Sequence, residues 1–278
     1  MRTGLVVLAA LVAGVAAGCG SSGPATPTVA PARTFRLADF RPSGTIEPGK
    51  PVELSFRIVQ PSGATLTRYR RGPGPHTGIH LIIVRDDLAD IIHKHPRVGA
   101  DGVLRQPVVF LLPGRYRVVV DTYPAGVDLP RNFQLFASVQ VGTSARPRPL
   151  PPFRPSVTAG GYTFAIAKLP TLRAVEPAFL TVRIRNAQGR PPALQPFFGA
   201  LAHAILFRAG SLDYFHTHVC APGAAGCTSL NRAPVGTATT PGVMHLGLLL
   251  PVSGTWRLFL QTEIGGRLVT APFTLRVR

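Results

Sequence analysis

The stretch Phe179-Leu180-Thr181-Val182-Arg183-Ile184-Arg185 decides the fold class. Leu180, Val182 and Ile184 alternate with Phe179, Thr181 and Arg183, the period of a strand with one face buried. Similar runs precede it: VELSFRIV (52–59), IHLIIV (79–84), VVFLL (108–112), YRVVV (116–120) and LFASVQV (135–141). Others follow: HAILF (203–207), MHLGLLL (244–250), WRLFLQ (256–261) and APFTLRV (271–277). Glycine and proline number 29 each in 278 residues. Proline removes a backbone donor and glycine carries an entropy cost, so a helical bundle or coiled coil is excluded. Many short strands between Gly/Pro turns predict antiparallel sandwiches.

The strand runs divide around TSARPRPLPPFRP, residues 143–155, a Pro-rich linker expected to be extended and stiff. The two sides match each other. Thr34-Phe35 corresponds to Thr163-Phe164, Phe56-Arg57-Ile58 to Val182-Arg183-Ile184, and Leu112-Pro113-Gly114-Arg115-Tyr116 to PVSGTW at 251–256. The chain therefore reads as all-β, a duplication of two tandem immunoglobulin-like sandwiches over residues 34–142 and 156–278.

Residues 1–18 read as an export signal. An apolar run from Leu5 to Val15 follows Met1-Arg2, too short to span a bilayer, and ends in small residues. Ala16-Ala17-Gly18-Cys19 resembles the lipobox of bacterial lipoproteins, which implies that Cys19 is diacylated and begins the mature chain. Residues 19–33 then form a Ser/Gly/Pro/Thr/Ala-rich tether. The expected location is extracytoplasmic, anchored to membrane lipid. In an exported domain, Cys220 and Cys227 bracketing a Gly/Pro loop are expected to form a disulfide.

The formal net charge is +18, from 30 Lys+Arg against 12 Asp+Glu. Such a balance allows an anionic envelope polymer as partner. The arginines are spread along the chain without an aromatic-basic motif, so no nucleic-acid partner is expected.

Six of the eight histidines form one pattern written twice. Subtracting 123 from His203, His216 and His218 gives 80, 93 and 95, which are also histidines. Asp90 and Asp213 repeat three positions before each His pair. Each stretch reads as a hairpin, turning near Arg85-Asp86-Asp87 and Ala209-Gly210-Ser211. Facing residues in a hairpin have a constant index sum, which sets His80 opposite residues 93–95. His93 and His95 share a strand face. Three convergent imidazoles form a ligand set for copper or zinc. Structural histidine pairs and a pH-responsive cluster suit the same residues. In the second half, His245 is expected to join its cluster ahead of Met244, and in the first half His76 is a loop residue.

RDDLADIIHKHP with PGRYRVVVDTYP resembles secreted and lipoprotein domains of high-GC Gram-positive bacteria, grouped with YtkA-like and CopC-like metal-binding sandwiches. FHTH and GTWRLFLQTEIGGRLVTAPFTLRV in the second half resemble them too. The resemblance implies copper or other heavy-metal handling. The CopC-like N-terminal ligand histidine has no counterpart, because Cys19 stands first in the mature chain. FHTHVCAPGAAGCTS (215–229) is similar to the copper segment of Cu/Zn superoxide dismutases. That likeness implies His216 and His218 as copper ligands and Cys227 as a disulfide partner. It ends at Ser229, and Ala233 stands where the bridging histidine belongs.

No G-x-S-x-G, HExxH, phosphate-binding loop or CxxC is present. The leading expectation is a non-enzymatic, membrane-anchored lipoprotein with a three-His copper or zinc site in each domain, for buffering, delivery or sensing. A cell-envelope interaction module with structural histidines and a dismutase-like copper enzyme are the alternatives.

Overall fold

In the computed structural model, which describes residues 34–70, 78–126, 132–221 and 235–278, every regular element is a strand. The signal segment, tether, Cys19, His76 and Cys227 lie outside the described residues.

The first sandwich contains β1 (Arg36–Arg41), β2 (Pro51–Val59), β3 (Ile79–Arg85), β4 (Ile91–Lys94), β5 (Arg97–Val98), β6 (Leu104–Val109), β7 (Gly114–Thr122) and β8 (Phe133–Val141). One sheet runs β1-β2-β6-β5 and the other β4-β3-β7-β8. In immunoglobulin terms these are A-B-E-D and C′-C-F-G.

The second contains β9 (Ser156–Ala159), β10 (Tyr162–Lys168), β11 (Ala178–Asn186), β12 (Ala202–Arg208), β13 (Tyr214–Cys220), β14 (Gly236–Thr240), β15 (Val243–Leu248), β16 (Gly254–Ile264) and β17 (Arg267–Val277). Its order, β17-β16-β12-β13-β14-β15-β11-β10-β9, repeats the first with an extra edge strand. Here β13 and β14 join in parallel, Val219 opposite Gly236, so the two layers are one continuous sheet.

Two details show that the halves are copies. Tyr116, at the start of β7, reaches the Leu112 carbonyl at 2.9 Å, the corner that pins this strand in immunoglobulin folds. Trp256 on β16 holds the matching place and donates to the Val252 carbonyl at 3.1 Å. Gly114 and Gly254 have φ of 135° and 134°, and a Cβ on either would come within 2.7 Å of Nε of Arg85 or Arg208. Neither position tolerates a side chain.

Tyr116 also reaches Asp90 Oδ2 at 3.1 Å and is fully buried. Tyr116→Phe is expected to cost about 0.5–1.5 kcal/mol, read from the urea midpoint at unchanged slope.

Each sandwich has its own core, around Leu54, Phe56, Phe110 and Tyr116 in one and Phe164, Trp256 and Phe273 in the other. β3 and β12 are buried on both faces. Ile79, Leu81 and Ile83 point into the first core, and Ala202, Ala204 and Leu206 into the second. Their opposite faces meet in a third cluster. Ile82, Val84, Leu88 and Val119 pack there against Ile205, Phe207, Leu212 and Phe259. Full burial of an aliphatic or phenyl side chain contributes about 1.5–3 kcal/mol, so this seam holds the sandwiches together. The linker lies along it: Arg148 N donates to Asp87 Oδ2 at 2.8 Å, and Leu150 packs on the cluster.

Candidate metal centre

The seam carries the histidines at one end. In the first hairpin Ile82 faces His93 and Leu81 faces Lys94, an index sum of 175. In the second His203 faces His218 and Ile205 faces His216, a sum of 421. The two sums differ by 246, twice the offset of 123, so both hairpins have the same register. His80 and His203 share the outer faces of β3 and β12 with the seam residues Ile82 and Ile205. Because those faces pack on each other, the two histidine sets meet.

The expectation of one three-His site per sandwich changes accordingly. His80 lies 4.7 Å from His216 and His93 lies 4.9 Å from His203, centroid to centroid, across the seam. Three triads bring ligand nitrogens within 4.8 Å of one another: His80/His93/His95, His80/His216/His218 and His93/His203/His216. The first is the expected set. His203/His216/His218 is not such a triad among the described residues; His203 groups with His93 instead. Five of the six histidines are buried, and His218 is half-buried.

His245 does not join them. β15 lies beside β11 and β14, in the half of the sheet away from the seam, and His245 Nδ1 lies 3.1 Å from Thr181 Oγ1. Its neighbour Met244 is fully buried in the second core. Index arithmetic identifies the strand face but not the face that meets the other sandwich. Asp90 and Asp213 serve their hairpins: Asp90 O accepts from Arg85 N and Asp213 O from Arg208 N, both at 3.0 Å.

The hydrogen bonds set the tautomers of two histidines. Gln261 Nε2 donates to Thr270 Oγ1 at 3.2 Å, which turns Oε1 toward His93 Nδ1, 3.1 Å away. An amide oxygen only accepts, so Nδ1 carries the proton and the Nε2 lone pair of His93 faces inward. His203 Nε2 donates to the Phe197 carbonyl at 2.7 Å, so its Nδ1 lone pair faces inward as well. Each inward nitrogen has a histidine neighbour. His93 Nε2 is 3.3 Å from His95 Nε2, and His203 Nδ1 is 3.2 Å from His216 Nε2. Nitrogens on a tetrahedral ion with bonds of about 2.0–2.1 Å stand about 3.3 Å apart.

Burial, then the positive charge neighbouring histidines would carry, holds His80, His93 and His216 well below the ordinary imidazole value. They are neutral at pH 7, the state that binds a cation. Among the described residues the one buried carboxylate nearby is Asp121, with Oδ2 3.9 Å from His80 Nδ1, an electrostatic neighbour rather than a hydrogen bond. Burial raises its pKa to about 6, against hydrogen bonds from Gln134, Tyr214, Asn132 and Tyr123. Tyr214 comes from the second sandwich and donates to Oδ2 at 3.3 Å.

Phe198 covers the first triad, stacked on His95 with centroids 3.7 Å apart and planes 10° from parallel. Its φ of 47° is unusual for a bulky residue and places the ring there. On another side, a cleft of about 380 Å³ lined by Ile91, Lys94, Val109 and Leu268 reaches His93 and Gln261.

Residues 157–278 match DUF8832, a domain of unknown function. The DUF8832 match spans the second sandwich from within β9, including His203, His216, His218 and Gln261. No match is found among curated proteins. Solved structures similar to the chain include a Salmonella alpha-2-macroglobulin mutant, at 14% identity and TM-score 0.27, covering 90% of this chain and 15% of that one. Titin domains z1z2 in complex with telethonin share 12% identity, TM-score 0.21, over 87% of this chain and 94% of theirs. Tandem Ig repeats of Dlar share 8%, TM-score 0.23, over 89% and 99%. The chain thus spans a small part of the macroglobulin. Its immunoglobulin-like character rests on strand order and on the corner residues.

Sequence reasoning missed Asp121 and, within the DUF8832 match, Phe197, Phe198 and Gln261. A signal for two of them was present. Tyr116 and Trp256 occupy the same corner, and five residues beyond each stand Asp121 and Gln261. Both face the first histidine of their own copy: His80 pairs with Asp121 on β7, and His203 with Gln261 on β16. No repeat signal marks the Phe197-Phe198 pair, because at the offset of 123 the first copy carries Gly74 and Pro75.

Proposed function

We propose that the chain is an exported, lipid-anchored protein that holds a copper or zinc ion in the histidine cluster between its sandwiches, without catalysing a reaction. The observation that carries this reading is the inward presentation of lone pairs. His93 and His203 each have their outer nitrogen tied to a pure acceptor, Gln261 Oε1 and the Phe197 carbonyl. Their inner nitrogens stand at tetrahedral spacing from a second histidine. An outer acceptor that fixes the tautomer is the usual support of a ligating histidine. An all-imidazole set suits Cu(II) and Zn(II). The lipobox at Cys19, the expected Cys220–Cys227 disulfide and the resemblance to heavy-metal-binding sandwiches fit an extracytoplasmic metal handler.

A second reading has support of its own. In the neutral state His95 can donate to His93 and His216 to His203, closing the histidine pairs without an ion. The histidines would then be structural, and the basic surface would bind an anionic envelope polymer.

Titration of the chelator-stripped protein with Cu(II) and Zn(II) against a competing chelator separates the two. Stoichiometric uptake is expected, with nitrogen hyperfine structure in the Cu(II) electron paramagnetic resonance spectrum. An ion at a thousand times its Kd adds about 4 kcal/mol of stability, read as a rise in Tm. Absence of stoichiometric uptake overturns the metal reading.

A further inference from the structure

The triads overlap in a regular way. His80, His93 and His216 each belong to two of them, while His95, His203 and His218 each belong to one. Any two triads therefore share one histidine. His93 has a single nitrogen to offer, because its Nδ1 is bound to Gln261. The two triads that share it cannot be filled together. Joint occupancy of another pair would require His80 or His216 to bridge two divalent ions in a buried space, where like charges repel strongly.

Resting on the metal reading, we propose that the cluster is a transit site: one ion at a time moves among three overlapping triads, keeping one shared histidine at each exchange. Leaving His80/His93/His95, which belongs to the first sandwich, the ion retains His93 and gains His203 and His216. Leaving that set, it retains His216 and gains His80 and His218. Both moves cross the seam. Each keeps a bond while two others are replaced, so the ion need not return to water between sites. Such a centre suits delivery of a labile transition-metal ion over its permanent storage.

The overlap makes a combinatorial prediction, tested by competitive Cu(II) titration and native mass spectrometry on the full chain. The native protein takes up one ion per chain. Every single His→Ala substitution leaves at least one triad whole, so none of the six abolishes uptake, and each weakens it by only a few-fold. Pairs from the shared set, such as His80→Ala/His93→Ala, destroy all three triads and weaken uptake at least a hundredfold. Pairs from the other set, such as His95→Ala/His203→Ala, leave His80/His216/His218 and stay within about tenfold of native. His→Gln versions, checked by circular dichroism, distinguish lost ligands from lost fold. Abolition of uptake by one substitution would show a fixed triad and overturn the proposal, as would two ions per chain. No uptake by the native protein would instead remove the metal reading beneath it.

Discussion

Metal-free protein is expected to lose stability steadily between pH 6.5 and pH 5. His80, His93 and His216 are held well below the ordinary imidazole value of 6.5, by burial first and then by their neighbours' charge. Over this range the unfolded chain binds protons that the folded chain refuses, so stability is complete above pH 6.5 and falls as the pH drops. The loss is at most about 1.4 kcal/mol per histidine per pH unit, or about 6 kcal/mol for the three at pH 5. Asp121 works in the opposite direction. Its folded pKa, about 6, lies above the ordinary carboxylate value of 3.8, so below pH 6 the folded state takes up a proton that the unfolded carboxylate does not. That returns at most about 1.4 kcal/mol by pH 5. Three histidines outweigh one carboxylate, so the net change is a loss, of a few kcal/mol against a typical domain stability of about 5–15 kcal/mol. Urea unfolding at pH 7, 6 and 5 measures it. A midpoint independent of pH would show that the three histidines are not buried neutral.

What the sequence made legible follows from the range of each signal. Strand alternation and turn residues are local, so Leu180, Val182 and Ile184 announced their buried face, and the corner at Tyr116 and Trp256 revealed the duplication. Hairpin register is also local, and the index sum placed His80 opposite residues 93–95, which the observed sum of 175 narrows. The seam was not legible as such. In β3 the set Ile79, Leu81 and Ile83 fills one core while Ile82 and Val84 meet the other sandwich. The continuous apolar run IHLIIV carried that information, since a strand buried on both faces shows no alternation. Nothing in the run names the surface that covers the second face. His245 went astray for the same reason. A tertiary contact between copies follows from shape across the whole sandwich rather than from spacing along one strand.

The seam also predicts how the triads respond to its loss. Ile205 is fully buried in the cluster between the sandwiches and belongs to neither separate core. Removing its side chain alone costs about 2–5 kcal/mol. In Ile205→Asp the carboxylate would also sit among Ile82, Val84 and Phe259 without a charged partner, and opening the seam to water is the cheapest relief. Each sandwich keeps the core it has. Emission from the single tryptophan, Trp256, buried in the second core, should therefore stay native, while the radius of gyration rises. Of the three triads only His80/His93/His95 draws on one sandwich, so one ion is still bound, by that set alone. His95→Ala, which weakens uptake only a few-fold in the native chain, should abolish it in the Ile205→Asp background. His203→Ala should have no effect there. An expanded Ile205→Asp protein, its seam open, whose uptake still tolerates His95→Ala would show that the seam does not assemble the centre. The reversal of His95 from dispensable to essential is the behaviour that a site divided between two packed copies requires.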